Sequence, residues 1–198
     1  MKRGAPGVLR IIGGRWRSRL IAFDPGTGLR ATPDRVRQTV FDWLAPTIAG
    51  ARCLDLYAGS GAMGFEALSR GALSVSFVER NAAEVERLRQ SAASLAAGAA
   101  ARILHADART VLDARIGSAL GEERFDVVFL DPPYVDDAVG DALEALRPWL
   151  SAHHRVYVEW PHGRPQALPE GYRWVRRKAA GRVSYGLVSC DAGTGDGQ

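Results

Sequence analysis

From residue 52 onward the chain switches repeatedly between two hydrophobic patterns. Short apolar runs at Arg52–Tyr57, Leu73–Glu79, Arg102–His105, Phe125–Leu130 and Arg155–Trp160 read as buried strands. Between them, apolar residues recur at helical spacing. One helix spans Ala62–Arg70 and stops at Gly71; a second opens at Asn81, buries Val85, Leu88, Ala92 and Leu95, and stops at Gly98. A third runs through Val111, Leu112 and Ile116, and Val139, Leu143 and Leu146 mark a fourth. Asn81 suits an N-cap, and Glu84 three residues on makes the start resemble a capping box. Tyr172–Lys178 and Val183–Ser189 flank Ala179-Ala180-Gly181 and read as a closing hairpin. Strand–helix alternation predicts an α/β fold, a mostly parallel sheet with helices on both faces; the hairpin adds one antiparallel strand.

The first part of the chain follows another pattern. Val8–Phe23 holds two short apolar runs around Gly13-Gly14, which predicts a β-hairpin or bent strand pair, and Asp24–Gly28 is a turn cluster. Thr32-Pro33-Asp34 predicts a helix start, with Thr32 as N-cap, Pro33 in the first helical position and Asp34 at the positive end of the dipole. Val36, Val40, Phe41 and Leu44 form its apolar stripe; Arg35 and Arg37 fall off that stripe and are expected in solvent. Residues 1–30 read as a basic hairpin extension, 31–190 as one domain, and 191–198 (DAGTGDGQ) as a disordered tail.

Composition narrows the class. The chain has 198 residues, 46% of them hydrophobic and 24% charged, which suits one soluble globular domain. A formal net charge of +4 favours an anionic partner. Cys53 and Cys190 are the only cysteines, and the four histidines lack ligand spacing. The expectation is no disulfide framework, no metal site and a reducing cytoplasm. No apolar run is long enough to predict a membrane span.

Two strand ends carry candidate chemistry. The first strand ends in Asp55-Leu56-Tyr57-Ala58-Gly59-Ser60-Gly61, a glycine loop feeding a helix N-terminus. With Gly64 it satisfies the dinucleotide fingerprint, a weak signal that a tight strand-to-helix turn or an NAD-dependent oxidoreductase would also give. Asp55 discriminates, because a carboxylate suits a cationic group and sits poorly beside a pyrophosphate. S-adenosylmethionine carries an ammonium and a sulfonium and no phosphate. Glu79, 18 residues after Gly61, ends the second strand where an acid can accept from ribose hydroxyls, and Asp107 after the third strand could read an adenine amine; either could instead be a helix N-terminal acid. The fourth strand runs into Asp131-Pro132-Pro133-Tyr134. The prolines stiffen the loop and remove donors, Asp131 and the Pro132 carbonyl offer acceptors, and Tyr134 offers a stacking face. Such a loop could hold a base bearing an exocyclic amine and stabilise positive charge growing on its nitrogen.

Together these motifs resemble class I S-adenosylmethionine-dependent methyltransferases that act on amines. The closer resemblance is to the ribosomal RNA small-subunit methyltransferase D family. It covers about residues 9–189 and is carried by Arg10–Arg19 (RIIGGRWRSR), Leu29–Leu44 (LRATPDRVRQTVFDWL), Leu54–Gly71 and Asp131–Tyr134. The resemblance implies a Rossmann-like fold with a seven-stranded sheet and methylation of guanine N2 in 16S rRNA, within an assembled or partly assembled small subunit, without a metal. It implies cofactor contacts by Asp55, Tyr57, Ala58, Gly59, Ser60, Gly61, Glu79, Arg80, Asp107 and Ala108. It implies that Asp131, Pro132, Pro133 and Tyr134 hold the base, and that Arg10, Arg15, Arg17, Arg19, Arg30, Arg35 and Arg37 meet RNA phosphates. This chain departs from the family at Ala31-Thr32-Pro33-Asp34, where Thr-Thr-Asp is common, and at Gln38, where Glu is usual. An N6-adenine methyltransferase and a non-catalytic RNA-binding assembly factor are the competing expectations.

Overall fold

The computed structural model describes residues 7–24, 32–113, 120–121, 123–132 and 138–191. The elements are β1 (Gly7–Arg10), β2 (Leu20–Phe23), α1 (Asp34–Leu44), β3 (Arg52–Leu56), α2 (Ala62–Ser69), β4 (Ser74–Glu79), α3 (Ala82–Ser94), β5 (Ala101–His105), α4 (Ala108–Leu112), β6 (Phe125–Leu130), α5 (Ala138–Leu146), β7 (Leu150–Pro161), β8 (Tyr172–Ala180) and β9 (Val183–Cys190). Seven strands form one sheet in the order β5-β4-β3-β6-β7-β9-β8. β9 runs antiparallel to both its neighbours, and the pairs from β5 to β7 are parallel. The predicted mostly parallel seven-stranded sheet and closing hairpin are therefore present.

Period-two alternation feeds two cores from one sheet. In β3 and β6, Cys53, Val127 and Phe129 face one core with α1, α2 and α3; Leu54, Leu56, Val128 and Leu130 face the other with α4 and α5. Chain order reverses between β3 and β6: β4 and β5 lie outward of β3, while β7 lies outward of β6. A crevice at the carboxyl ends of β3 and β6 is the expected ligand position in such a sheet.

β1 and β2 form a separate antiparallel pair. Ile11, Trp16 and Ile21 from this segment join the core under α1 and α2. The attachment is polar as well. Glu66 on α2 accepts the N–H of Ile12 (2.8 Å) and of Gly13 (2.9 Å), and Ser69 Oγ accepts from Trp16 N–H at 2.9 Å. Gly14 has φ of +74°, and a Cβ there would lie 1.8 Å from the Ser69 carbonyl oxygen, so only glycine fits.

Several expectations need correction. Helix α1 starts at Asp34, with Pro33 rather than Thr32 in the N-cap position and no side-chain cap. Arg37 is not in solvent: it is fully buried and donates to Asp34 Oδ1 (2.6 Å) and to the Arg10 carbonyl (2.7 Å). The N-terminal segment lies over this face of α1, so a position beside the apolar stripe is covered, and Arg37 cannot meet RNA phosphates in this arrangement. Asn81 caps α3 as expected, accepting from Ala83 N–H at 2.9 Å. The reciprocal half of a capping box is absent, because Glu79 takes the Asn81 N–H and Glu84 pairs with Arg87. Ile116 and the 192–198 tail lie outside the described residues.

The β8 edge carries exposed Arg173, Arg176, Arg177 and Lys178, a charge pattern that discourages strand addition. No helix among the described residues is long and apolar enough to cross a membrane.

Candidate active site

The loop after β3 is shaped by backbone conformation. Tyr57, Gly59 and Gly61 all take positive φ, of 60°, 51° and 74°. Tyr57 adopts this without being glycine, an uncommon conformation that concentrates at functional loops. Two bonds brace the loop: Ala58 N–H donates to the Val78 carbonyl at 2.9 Å, and Gly59 N–H to Glu79 Oε2 at 2.8 Å. Helix α2 then passes very close to the sheet. A Cβ on Gly64 would lie 2.2 Å from the Phe77 ring and 2.9 Å from Asp55 Oδ2, and Gly64 N–H donates to that oxygen at 3.0 Å. The third glycine of the fingerprint thus serves close helix–strand packing.

Asp55, Tyr57, Ala58, Gly59 and Ser60 line an open-mouthed cavity, together with Thr32, Ala62, Met63, Phe129, Asp131 and Tyr157. Asp55 and Asp131, from the adjacent strand ends of β3 and β6, thus share one cavity wall. Gly61 lies beside it as the N-cap of α2. Pro132 is buried directly after Asp131, while Pro133 and Tyr134 fall outside the described residues.

The remaining predicted cofactor residues stand further along the rim. Glu79 ends β4, and its second oxygen accepts the Asn81 N–H at 2.7 Å. Asp107 is the N-cap of α4 and accepts from Arg109 N–H at 2.9 Å. Arg80 is exposed and Ala108 buried. None of these four lines the cavity around Asp55 and Asp131. Tyr57 links the two regions, since its half-buried hydroxyl interacts with Arg109.

The electrostatics are unusual. Burial pushes the Asp55 carboxyl up to about 8, against the Gly64 N–H and with help from Glu79. Burial also raises Asp131 well above the usual carboxylate range, and the neighbouring charges of Glu159 and Asp55 add to it. Burial and Glu159 likewise raise the Tyr157 hydroxyl. Such a site favours a cation, or a ligand edge rich in N–H donors, over an anion.

Tyr157, Glu159 and Thr32 belong to this region although no motif marks them as site residues. Tyr157 lies in the cavity wall and donates to Glu159 Oε2 at 2.8 Å. The available signal is Glu159 itself, the one acid in β7, set among Val156, Tyr157, Val158 and Trp160. Thr32, expected as a helix cap, faces the cavity just before α1.

The exposed cations form a second group. Arg10, Arg15, Arg17, Arg19 and Arg35 are all exposed; Arg15 stacks over the Trp16 ring at 4.2 Å, and Arg19 donates to the Ser94 carbonyl. Arg30 lies outside the described residues.

Comparison with known proteins agrees with this fold. The family described as "Conserved hypothetical protein 95" matches residues 9–189. The chain is 40% identical over 190 residues to ribosomal RNA small subunit methyltransferase D of Escherichia coli K12, covering 94% of this chain and 92% of that protein. The solved structure of the Escherichia coli protein yhhF superposes with a TM-score of 0.81 at 36% identity, covering 94% of this chain and 99% of that one. The T. thermophilus 16S rRNA N2 G1207 methyltransferase RsmC, solved with AdoMet and guanosine, shares the fold at a TM-score of 0.66 and 20% identity, covering 94% of this chain and half of its own. With the family match spanning nearly the whole chain and that identity to its relative, the chain belongs to the ribosomal RNA small subunit methyltransferase D family.

Proposed function

We propose that this protein transfers a methyl group from S-adenosylmethionine to the exocyclic N2 amine of one guanine in small-subunit (16S) rRNA. The observation that carries the reading is the shared cavity: Asp55 and Asp131 meet across the switch between β3 and β6. AdoMet bound in RsmC and the ribosomal RNA in the name of the Escherichia coli relative point the same way.

The residues fit the cofactor. A buried carboxylate at Asp55, costly without a cationic partner, suits its ammonium, and the positive-φ backbone of Tyr57, Gly59 and Gly61 allows close approach. Glu79 and Asp107 would complete the site at the ribose and adenine, each keeping its backbone bond. When bound, S-adenosylmethionine supplies a methyl group on a sulfonium that is already a good leaving group.

The target amine is a weak nucleophile, because its lone pair is delocalised into the ring. Asp131 and the Pro132 carbonyl would accept its N–H bonds, localise that lone pair, and stabilise the positive charge that grows on nitrogen. Tyr134, two residues past Pro132, would stack on the base. Arg10, Arg15, Arg17, Arg19 and Arg35, with Arg30, would hold rRNA phosphates.

The test is methylation in vitro with labelled cofactor, using purified small subunits and naked 16S rRNA in parallel. The reading expects N2-methylguanosine in the digested product, and its loss with Asp131→Ala while cofactor binding persists. N6-methyladenosine instead would move the assignment to the adenine reading. No product, with RNA binding retained, would leave an assembly factor.

A further inference from the structure

We infer that Tyr157 and Glu159 make this site selective for guanine among bases carrying an amine: Glu159 holds the Tyr157 hydroxyl hydrogen, so the Tyr157 oxygen accepts the guanine N1–H while Asp131 holds the N2 amine. The inference rests on the reading given under Proposed function and names the residues that read the base beside its reacting nitrogen.

The sheet register places these groups together. Asp55 pairs with Phe129, and Phe129 with Tyr157, in one row across β3, β6 and β7. Leu130 pairs with Val158, so Asp131 and Glu159 follow in the next position on the same face. Tyr157 is fully buried yet lines the cavity, and its hydroxyl donates to Glu159 Oε2 at 2.8 Å. A phenol has one hydrogen, so the oxygen is left with lone pairs only. Glu159 is itself buried, and an acid in a core strand is costly unless its oxygens are used. Tyr157 therefore meets a ligand as an acceptor, and Asp131 does so in its ionised form. The upward pressure on the Asp131 carboxyl from burial and from Glu159 is relieved when N–H donors arrive.

Guanine matches a pair of acceptors, because its N1–H and N2 amine are adjacent donors. Adenine sets an amine beside a ring acceptor. 2-Aminopurine is more telling: it carries the same 2-amine, but its N1 is an acceptor and would face the Tyr157 lone pairs. Glu159 acts only through Tyr157 and is a positioning residue.

The experiment compares reconstituted small subunits carrying guanosine or 2-aminopurine at the methylated position, with kcat/KM measured on each. Wild type is expected to prefer guanosine by roughly 10- to 100-fold, the cost of one mismatched buried polar contact. Tyr157→Phe removes the acceptor and is expected to bring the ratio to within about threefold, mostly through a lower kcat on guanosine. Glu159→Gln can donate to the Tyr157 oxygen and release its hydrogen towards the cavity; it is expected to shrink the ratio in the same direction. Both variants should bind S-adenosylmethionine like wild type in calorimetry. A wild-type ratio near one overturns the inference whatever the variants do. So does an unchanged ratio in Tyr157→Phe, or in Glu159→Gln should the first variant not fold. A wild-type protein that methylates neither particle removes the underlying reading and this inference with it.

Discussion

Binding of the cofactor should release a proton from Asp55. In the free protein, burial holds this carboxyl near 8, so at pH 7 about one molecule in ten carries the charge. A bound ammonium stabilises the ionised form and pulls it back below neutrality. Affinity should then rise about tenfold per pH unit between roughly pH 5.5 and 7, which is about 1.4 kcal/mol per unit. The window closes near pH 8, where the ligand's own α-amino group, at about 7.7–8.0, begins to lose its charge. At pH 7 about 0.9 proton should be released per cofactor bound, the difference between roughly 0.1 and full ionisation. Calorimetry in two buffers of different ionisation heat measures this directly. Asp55→Asn should flatten the slope and weaken binding at pH 7, whereas Asp131→Asn should keep the slope. Flat affinity from pH 5.5 to 7, or no proton release, would refute the role given to Asp55.

The same raised carboxyl makes the folded state bind more protons than the unfolded chain, so its contribution to stability is full below about pH 4 and lost as pH rises through 8; Asp55→Asn should remove that alkaline loss in urea melts. His154 behaves oppositely: burial lowers it, and its neutral ring bridges the Ser151 carbonyl and the Cys190 N–H. The unfolded chain then takes the proton first, so wild type should lose stability relative to His154→Gln as pH falls below about 6.5. Glu66→Ala strips the buried Arg37 of a neighbouring carboxylate 3.6 Å away and releases the Ile12 and Gly13 N–H groups; a loss of roughly 3–5 kcal/mol is expected by denaturant titration. Gly64→Ala forces a methyl into the Phe77 ring and against Asp55, and should lower both the melting temperature and cofactor affinity.

What could be read from the chain was set by the range of the interactions. The two periods of the apolar pattern are local, and they locate the ends of the main-sheet strands to within two residues, except that β7 begins five residues before its expected start at Arg155. Asp55 and Asp131 are visible because each stands at the end of a buried strand in a motif of a few residues. Their meeting in one cavity depends on β3 and β6 lying side by side, a non-local pairing over 70 residues that pattern alone does not specify. Arg37 was misplaced for the same reason: its cover comes from Arg10, 27 positions away, and its position beside the apolar stripe says nothing about that. Glu159 and Tyr157 lie in the buried half of β7 outside any motif, and only the β6–β7 register brings them to Asp131. Thr32 has two uses open to a threonine before a helix, and the one adopted depends on where α1 sits against the sheet.

Guanine-N2 methylation by this protein is best decided by mass spectrometry of nucleosides from 16S rRNA of cells with the gene, without it, and complemented by wild type or Asp131→Ala. One N2-methylguanosine should disappear with the gene and return only with wild type. An unchanged N2-methylguanosine content in the cells lacking the gene would contradict it.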